Sequence, residues 1–164
     1  MSKKSEDRAT VDVAVVGGGI VGLWVAKRAV EAGLSVALIE ANRIGAGASA
    51  TPLGALTAHI PDRWNAKKQY QYDALTALPE TVAALEAQTG ASVGYCRAGR
   101  IMPIRSDAFL TQVHQRREQA ARHWAAPAPG FVYEARDSAS EADWLDGAEA
   151  IVWDSLAARI SAPA

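Results

Sequence analysis

The chain has 164 residues, a formal net charge of −1 and 49% hydrophobic residues. This length and composition suit an ordinary folded domain. The nearly balanced charge gives no electrostatic reason to expect a nucleic acid or an anionic membrane surface as partner. Cys96 is the single cysteine, so no internal disulfide can form and a reducing, cytoplasmic setting is the default. The apolar stretch at residues 13–26 contains glycines and is shorter than the ~20 residues of a membrane span. We therefore predict a buried strand and helix there, after a flexible polar tail at residues 1–9.

A glycine motif organises the N-terminal part of the chain. Residues 13–16 are an apolar run rich in β-branched valine, and we predict a strand at residues 10–16 that stops at the spacing Gly17-x-Gly19-x-x-Gly22. A helical pattern follows at residues 20–32, which Gly33 would end. A second, parallel strand at residues 35–40 finishes with Glu40, about 20 residues after the glycines, and this order is typical of a dinucleotide-binding βαβ unit.

Each part of this motif has a physical role in such a site. Gly17 allows a tight turn, Gly19 lets a pyrophosphate approach the backbone, and Gly22 lets the helix lie close to the strand. The helix N-terminus offers free N–H groups to phosphates. Glu40 can accept hydrogen bonds from both hydroxyls of an adenosine ribose and would repel a 2′-phosphate, so NADP fits poorly. The alternative is a structural turn that happens to be rich in glycine.

Residues 41–56 form a second segment of small side chains. The hydroxyls of Ser49 and Thr51 can bond phosphate or ribityl oxygens, and the small residues let a ligand approach the backbone. A flexible linker is the alternative interpretation, which the lack of charge disfavours.

These stretches resemble the FAD-dependent amino acid and amine oxidases, the family of D-amino acid oxidase, glycine oxidase and sarcosine oxidase. Residues 13–22, 36–40 and 47–56 carry the resemblance. It implies FAD as cofactor, with its pyrophosphate at the glycines, its adenosine ribose at Glu40 and its isoalloxazine ring beside residues 54–56. The predicted cofactor-binding residues are Gly17, Gly18, Gly19, Ile20, Val21, Gly22, Glu40, Ala41, Arg43, Ala48, Ser49, Thr51, Gly54, Ala55 and Leu56.

The rest of the chain alternates helices and short strands. We predict a helix at residues 62–89, divided at Pro79, and a helix at residues 107–124, capped by Ser106. Strands are predicted at residues 94–97 and 100–104, which would form a hairpin, and at residues 131–133 and 150–153. A helical turn is predicted at residues 140–145. The predicted fold class is α/β, with a Rossmann-like FAD-binding βαβ unit in residues 10–90 and the beginning of a substrate-side sheet in residues 91–164.

Members of the resembled family are more than twice as long, so we expect this chain to be incomplete relative to them. It would be a fragment, a truncated product, or a chain whose missing half a second chain supplies. Parallel strands are normally covered on both faces, so the exposed remainder would make the chain poorly soluble or self-associating.

Other side chains have competing interpretations. His59 could face the flavin or lie in a loop, while His114 and His123 should be solvated, and we predict no metal site. Cys96 should be a buried apolar residue rather than a nucleophile or a flavin attachment point. Three arginines could bind a substrate carboxylate but are better explained as solvent-exposed hairpin charges: Arg97, Arg100 and Arg105. Four tryptophans should serve packing: Trp64, Trp124, Trp144 and Trp153.

The resemblance implies an oxidoreductase that oxidises an amino acid or another amine by hydride transfer to flavin. No residue of this chain is predicted as a catalytic acid, base or nucleophile, and we expect the isolated chain to be inactive. The alternatives are an NAD-binding Rossmann domain of a dehydrogenase, and a non-catalytic remnant or assembly subunit.

Overall fold

The computed structural model describes residues 10–50, 53–137, 145, 148 and 150–161. The predicted tail, Thr51, Trp144 and the helical turn at residues 140–144 lie outside these residues. The chain divides into two compact units, Met1–Thr51 and Pro52–Ala164. None of the described helices combines the length and hydropathy needed to cross a membrane.

The first unit contains the predicted βαβ arrangement. Strand β1 (Val13–Val16) leads to helix α1 (Ile20–Glu31) and then to strand β2 (Val36–Ile39). The two strands are parallel, with Val13 opposite Val36 and Val16 opposite Ile39. The Asp12 carboxylate accepts hydrogen bonds from the Ser35 N–H and hydroxyl, at 2.8 and 2.6 Å, and so fixes the start of this pairing. A short 3-10 turn, Ala48–Ala50, follows.

Large apolar side chains of the first unit are exposed. Val16 is 81% exposed and Val21 is 74% exposed, and both lie next to the glycine turn. Because a parallel sheet is normally covered on both faces, we expect these side chains to drive self-association of the chain. Light scattering after size-exclusion chromatography should show a mass that rises with concentration, and a monodisperse monomer would contradict this expectation.

The second unit contains two antiparallel sheets and two long helices. Strand β3 (Leu53–Leu56) pairs with β7 (Ala158–Ser161), and β6 (Ala150–Asp154) lies between β4 (Arg100–Ile104) and β5 (Tyr133–Asp137). Helix α2 (Ala66–Thr89) is capped by Asn65, and helix α3 (Asp107–His123) is capped by Ser106 as predicted, since the Ser106 hydroxyl accepts the Phe109 N–H. The strand predicted at 131–133 begins two residues later than expected.

The core of the second unit joins these helices to the three-stranded sheet. Trp124, Tyr133 and Val152 are almost completely buried. The cluster of buried side chains comprises Ala58, Tyr72, Leu75, Ile104, Val113, Ala120, Trp124, Tyr133, Val152 and Leu156. Trp64 packs against this cluster, so the packing role predicted for Trp64 and Trp124 is confirmed.

Pro79 does not divide helix α2, and the prediction of two helices was wrong. A proline cannot donate to the carbonyl four residues earlier, which is that of Leu75. The Arg97 guanidinium supplies the missing donor, since its Nη2 lies 2.7 Å from the Leu75 oxygen and its Nη1 lies 2.6 Å from the Leu156 oxygen. A side chain distant in sequence therefore satisfies the carbonyl that the proline leaves open.

Replacing Arg97 with methionine should lower the free energy of unfolding by about 2 kcal/mol, because two buried carbonyls lose a charged donor. In a Pro79→Ala background the restored N–H bonds Leu75, so the same replacement should cost about 1 kcal/mol less. Urea denaturation of the four proteins in this double-mutant cycle measures the difference. Equal costs in both backgrounds would contradict the proposed compensation.

The predicted hairpin of residues 94–97 and 100–104 does not form. Residue 96 makes an isolated bridge to Arg159 beside β7, whereas β4 pairs with β6 in the other sheet. Gly99 has a φ of +72°, and a Cβ there would lie 2.3 Å from the Trp153 ring. The Ala98-Gly99 turn therefore carries the chain from one sheet to the next, a non-local choice that the local pattern does not encode.

Candidate dinucleotide-binding site

The glycine turn brings β1 and α1 into close contact. Gly17 has a φ of +105°, a backbone conformation that favours glycine, and a Cβ on Gly22 would lie 1.9 Å from the Gly17 carbonyl oxygen. This contact involves backbone on both sides, so no side-chain rotation could relieve it. The turn predicted from the glycine spacing therefore has a structural requirement for glycine at its first and last positions.

The N-terminus of α1 presents free N–H groups beside this turn. Gly19 occupies the N-cap position and has no side chain that could bond the first turn. The Ile20 N–H donates to the Ser49 hydroxyl oxygen at 3.0 Å. Within the described residues the N–H groups of Gly19, Val21 and Gly22 have no acceptor. Such a helix end, with its partial positive charge, is suited to a phosphate group.

The Glu40 carboxylate faces the same turn. Its Oε2 accepts the Gly18 N–H at 2.7 Å, and its Oε1 accepts the Asn42 N–H at 2.9 Å. These hydrogen bonds, of which that from Gly18 has the largest effect, lower the pKa of Glu40. The carboxylate therefore stays ionised at pH values below the usual pKa of a glutamate. Its contribution to stability is lost only as the pH falls through the lowered pKa. A carboxylate has about four acceptor positions in all, so beside the N–H groups of Gly18, Asn42 and Ala41 it can still accept a hydrogen bond from a ribose hydroxyl.

The segment after β2 folds back over the glycine turn. The Gly45 N–H donates to the Gly18 carbonyl at 2.9 Å, and a Cβ on Gly18 would lie 2.6 Å from Ile44 Cδ1. Ile44 is thus a wall of the turn that the sequence pattern did not single out, because an isolated apolar residue in a loop carries no periodic signal. The side chains of Ala41 and Arg43 are exposed in the same segment.

Gly54, Ala55 and Leu56 lie in the second unit, on β3. Gly54 is opposite Ile160 of β7, and a Cβ there would lie 2.4 Å from the Ile160 side chain. Glycine at this position therefore has a packing reason of its own, and contact of these three residues with the flavin ring stays a prediction.

The three arginines considered for a substrate carboxylate have partners within the protein. Arg100 donates to the fully buried Asp154 at 2.7 Å, and Arg105 reaches the Leu145 carbonyl at 3.4 Å. Arg97 bonds two carbonyls and lies 5.0 Å from the Phe131 ring centroid. The hairpin part of their interpretation was wrong, because none of them belongs to a hairpin and each is held by a contact distant in sequence. Arg105 is exposed as predicted, whereas Arg97 and Arg100 are half-buried.

Two other predictions need correction. Cys96 is exposed, not buried, because its segment runs along the outer edge of β7. His123 is half-buried and stacks on Trp64, with ring centroids 4.6 Å apart, whereas His114 is exposed as predicted.

His59 lies in the loop after β3, where its N–H donates to the Gln71 side chain at 2.6 Å. Among the described residues no group of three or more His, Cys, Asp or Glu side chains is placed to hold a metal ion.

Comparison with known proteins identifies the class. Residues 12–161 match the DAO family, described as FAD dependent oxidoreductase, and the chain belongs to this family. FAD is the cofactor of the family, so the resemblance found in the sequence is confirmed. Residues of the first unit fit the adenosine diphosphate part of FAD, since free N–H groups and a carboxylate that can still accept a hydrogen bond flank one glycine turn.

Two solved structures share the fold, and a third protein matches in sequence. Glycine oxidase from Bacillus cereus matches with a TM-score of 0.72 at 19% identity, over 92% of this chain and 41% of that protein. L-amino acid deaminase from Proteus vulgaris matches with a TM-score of 0.68 at 19% identity, over 93% of this chain and 39% of that protein. A 56-residue stretch is 41% identical to the tRNA 5-methylaminomethyl-2-thiouridine biosynthesis bifunctional protein MnmC of Nitrosospira multiformis and covers 34% of this chain and 9% of that protein.

The chain therefore spans about two fifths of the length of these solved structures, and its matched stretch covers less than a tenth of the MnmC protein. The predicted fold class, an α/β arrangement incomplete relative to the family, is confirmed.

Proposed function

We propose that this chain binds the adenosine diphosphate part of FAD and is the N-terminal portion of an oxidoreductase that acts on an amino acid or another amine. The observation that carries the proposal is the orientation of Glu40, whose carboxylate bonds the Gly18 N–H at 2.7 Å. This hydrogen bond places a negative charge beside the free N–H groups of α1. One end of the site would then hold a ribose and the other a pyrophosphate.

The roles of the residues follow from their chemistry. The N–H groups of Gly19, Val21 and Gly22 would bind the pyrophosphate, and Glu40 would orient the adenosine ribose. The Ser49 hydroxyl, already bonded to the Ile20 N–H, would hold the segment that closes over the phosphates. When bound, FAD would supply the acceptor for a hydride from the carbon that bears the amine. We extend the proposal to the whole protein, which would oxidise small amines or amino acids in a cytoplasmic setting. A second chain is one source of the part of the family fold that this chain does not cover.

Titration of the purified chain with FAD, followed by flavin fluorescence, tests this proposal. We expect Glu40→Gln to weaken FAD binding by about 10- to 100-fold, because hydrogen bonds to a charged acceptor contribute about 1.5–3 kcal/mol. Glu31→Gln is the matched control, since Glu31 lies at the far end of α1 and pairs with Lys27 and Arg28.

Two outcomes would contradict the proposal. If NADH binds and FAD does not, the chain is instead an NAD-binding domain of a dehydrogenase. If neither binds while circular dichroism shows a folded chain, a non-catalytic remnant or assembly subunit becomes the better description.

A further inference from the structure

The middle glycine of the turn after β1 is held from three directions by the segment that follows β2. Gly18 is buried. Its N–H donates to Glu40 Oε2 at 2.7 Å, and its carbonyl accepts the Gly45 N–H at 2.9 Å. The third contact is apolar, since a Cβ on Gly18 would lie 2.6 Å from Ile44 Cδ1. Residues 40–45 therefore contact both polar groups and the α-carbon of this one glycine.

Ile44 and Glu40 lie against the same point of the Gly18 backbone. A Cβ on Gly18 would lie 3.2 Å from Glu40 Oε2 and 3.3 Å from Glu40 Cβ, in the same position that the Ile44 methyl group approaches. The methyl group thus packs beside the carboxylate oxygen that accepts the Gly18 N–H. Contact with an apolar side chain excludes water from one side of a hydrogen bond, which strengthens a bond to a charged acceptor.

The backbone of the loop directs the Ile44 side chain to this position. The Ala46 N–H donates to the Arg43 carbonyl at 3.1 Å, which closes a turn around Ile44 and Gly45. Gly45 has a φ of +75°, a left-handed conformation that favours glycine. Ile44 is still 49% exposed, so it is not a core residue, and its replacement should leave the first unit folded.

We propose, on the basis of the FAD site proposed above, that Ile44 is a positioning residue that makes this site reject nucleotides with a phosphate on the ribose 2′ oxygen. A carboxylate that rotates freely in water could turn away from such a phosphate, and solvent would screen the remaining repulsion. Held against Gly18 by the Ile44 methyl group, the Glu40 carboxylate stays at the ribose position. A 2′-phosphate would then meet a like charge that cannot move away. Rejection therefore depends on the fixed position of the acid as well as on its charge.

Amide hydrogen exchange of the Gly18 N–H tests the positioning without any nucleotide. In the full chain, Ile44→Ala should speed exchange of this amide by about tenfold or more, because its hydrogen bond to Glu40 loses the apolar cover. Ile44→Leu, which keeps methyl groups at the δ position, should restore most of the protection. Val30→Ala is the matched control, since Val30 is 60% exposed near the far end of α1. Unchanged exchange in Ile44→Ala, or an equal change in Val30→Ala, would overturn the proposal.

Competition against bound FAD tests the specificity. The competitors are adenosine 5′-diphosphate and the same nucleotide with a 2′-phosphate, and the readout is the ratio of their inhibition constants. Ile44→Ala should bring the two constants closer together by about tenfold, since the freed carboxylate can turn away from the added phosphate. A merely structural role of Ile44 would weaken both competitors equally. A ratio equal to that of the unaltered chain would therefore overturn the proposal.

FAD binding by the unaltered chain separates the two kinds of failure. If the unaltered chain does not bind FAD, the proposed function fails, and exchange of the Gly18 amide still decides whether Ile44 positions Glu40. If the unaltered chain binds FAD and Ile44→Ala discriminates between the two competitors equally well, the proposed function stands and the role of Ile44 fails.

Discussion

Replacing Asp154 with alanine should lower the free energy of unfolding of the second unit by about 3–5 kcal/mol, the cost of breaking a buried ion pair. Asp154 is fully buried at the end of β6. Its Oδ2 accepts from Arg100 at 2.7 Å, and its Oδ1 accepts the N–H groups of Leu156 and Ala157 at 3.0 and 3.3 Å. The variant would leave a guanidinium and two buried backbone donors without this acceptor.

Asp137→Ala is the matched control for this experiment. Asp137 is an exposed carboxylate at the opposite end of the same sheet, where it faces Ala150 of β6. Its removal should change stability by less than about 0.5 kcal/mol. Urea denaturation followed by tryptophan fluorescence measures both variants. Similar losses for the two would show that the turn after β6 does not depend on the buried carboxylate.

Replacing Gly22 with alanine should abolish measurable FAD binding and destabilise the first unit by about 3 kcal/mol or more. The new Cβ would lie 1.9 Å from the Gly17 carbonyl oxygen, so α1 must move away from β1. That movement would displace the free N–H groups from their position beside Glu40. Flavin fluorescence titration measures the binding, and a circular dichroism melt measures the stability.

Gly47→Ala is the control for replacing a glycine with alanine where no atom is close. A Cβ at Gly47 would meet no atom within 4 Å, and its φ lies outside the left-handed region. This variant should melt at the same temperature as the unaltered chain or slightly higher, because alanine restricts the unfolded chain more than glycine does. If Gly22→Ala behaved like Gly47→Ala, the close approach of β1 and α1 would not require glycine at position 22.

The sequence predicted the first unit well because its determinants are local. Gly17, Gly22 and Glu40 act within one strand–helix–strand unit, so their spacing along the chain reports their spacing in the fold. The orientation of Glu40 toward the Gly18 N–H agrees with that expectation. Binding of FAD by the predicted residues is nevertheless a proposal that the experiments above must test.

The second unit was harder to predict because its determinants are non-local. Arg97 compensates Pro79 through the Leu75 carbonyl, a contact between residues 22 apart in sequence. Arg100 is held by Asp154, which is 54 residues away. No helical or strand period encodes such pairs, so the sequence pattern suggested a broken helix and a hairpin with exposed charges. The local capping signal of Ser106, by contrast, was sufficient to place the start of α3.

Competition against bound FAD tests the adenosine diphosphate site most directly. The competitors are adenosine 5′-diphosphate and the same nucleotide carrying a 2′-phosphate. We predict that the first displaces FAD and that the second, at equal concentration, does not, because the Glu40 carboxylate would face the added phosphate. Equal or better displacement by the 2′-phosphorylated nucleotide would contradict the account.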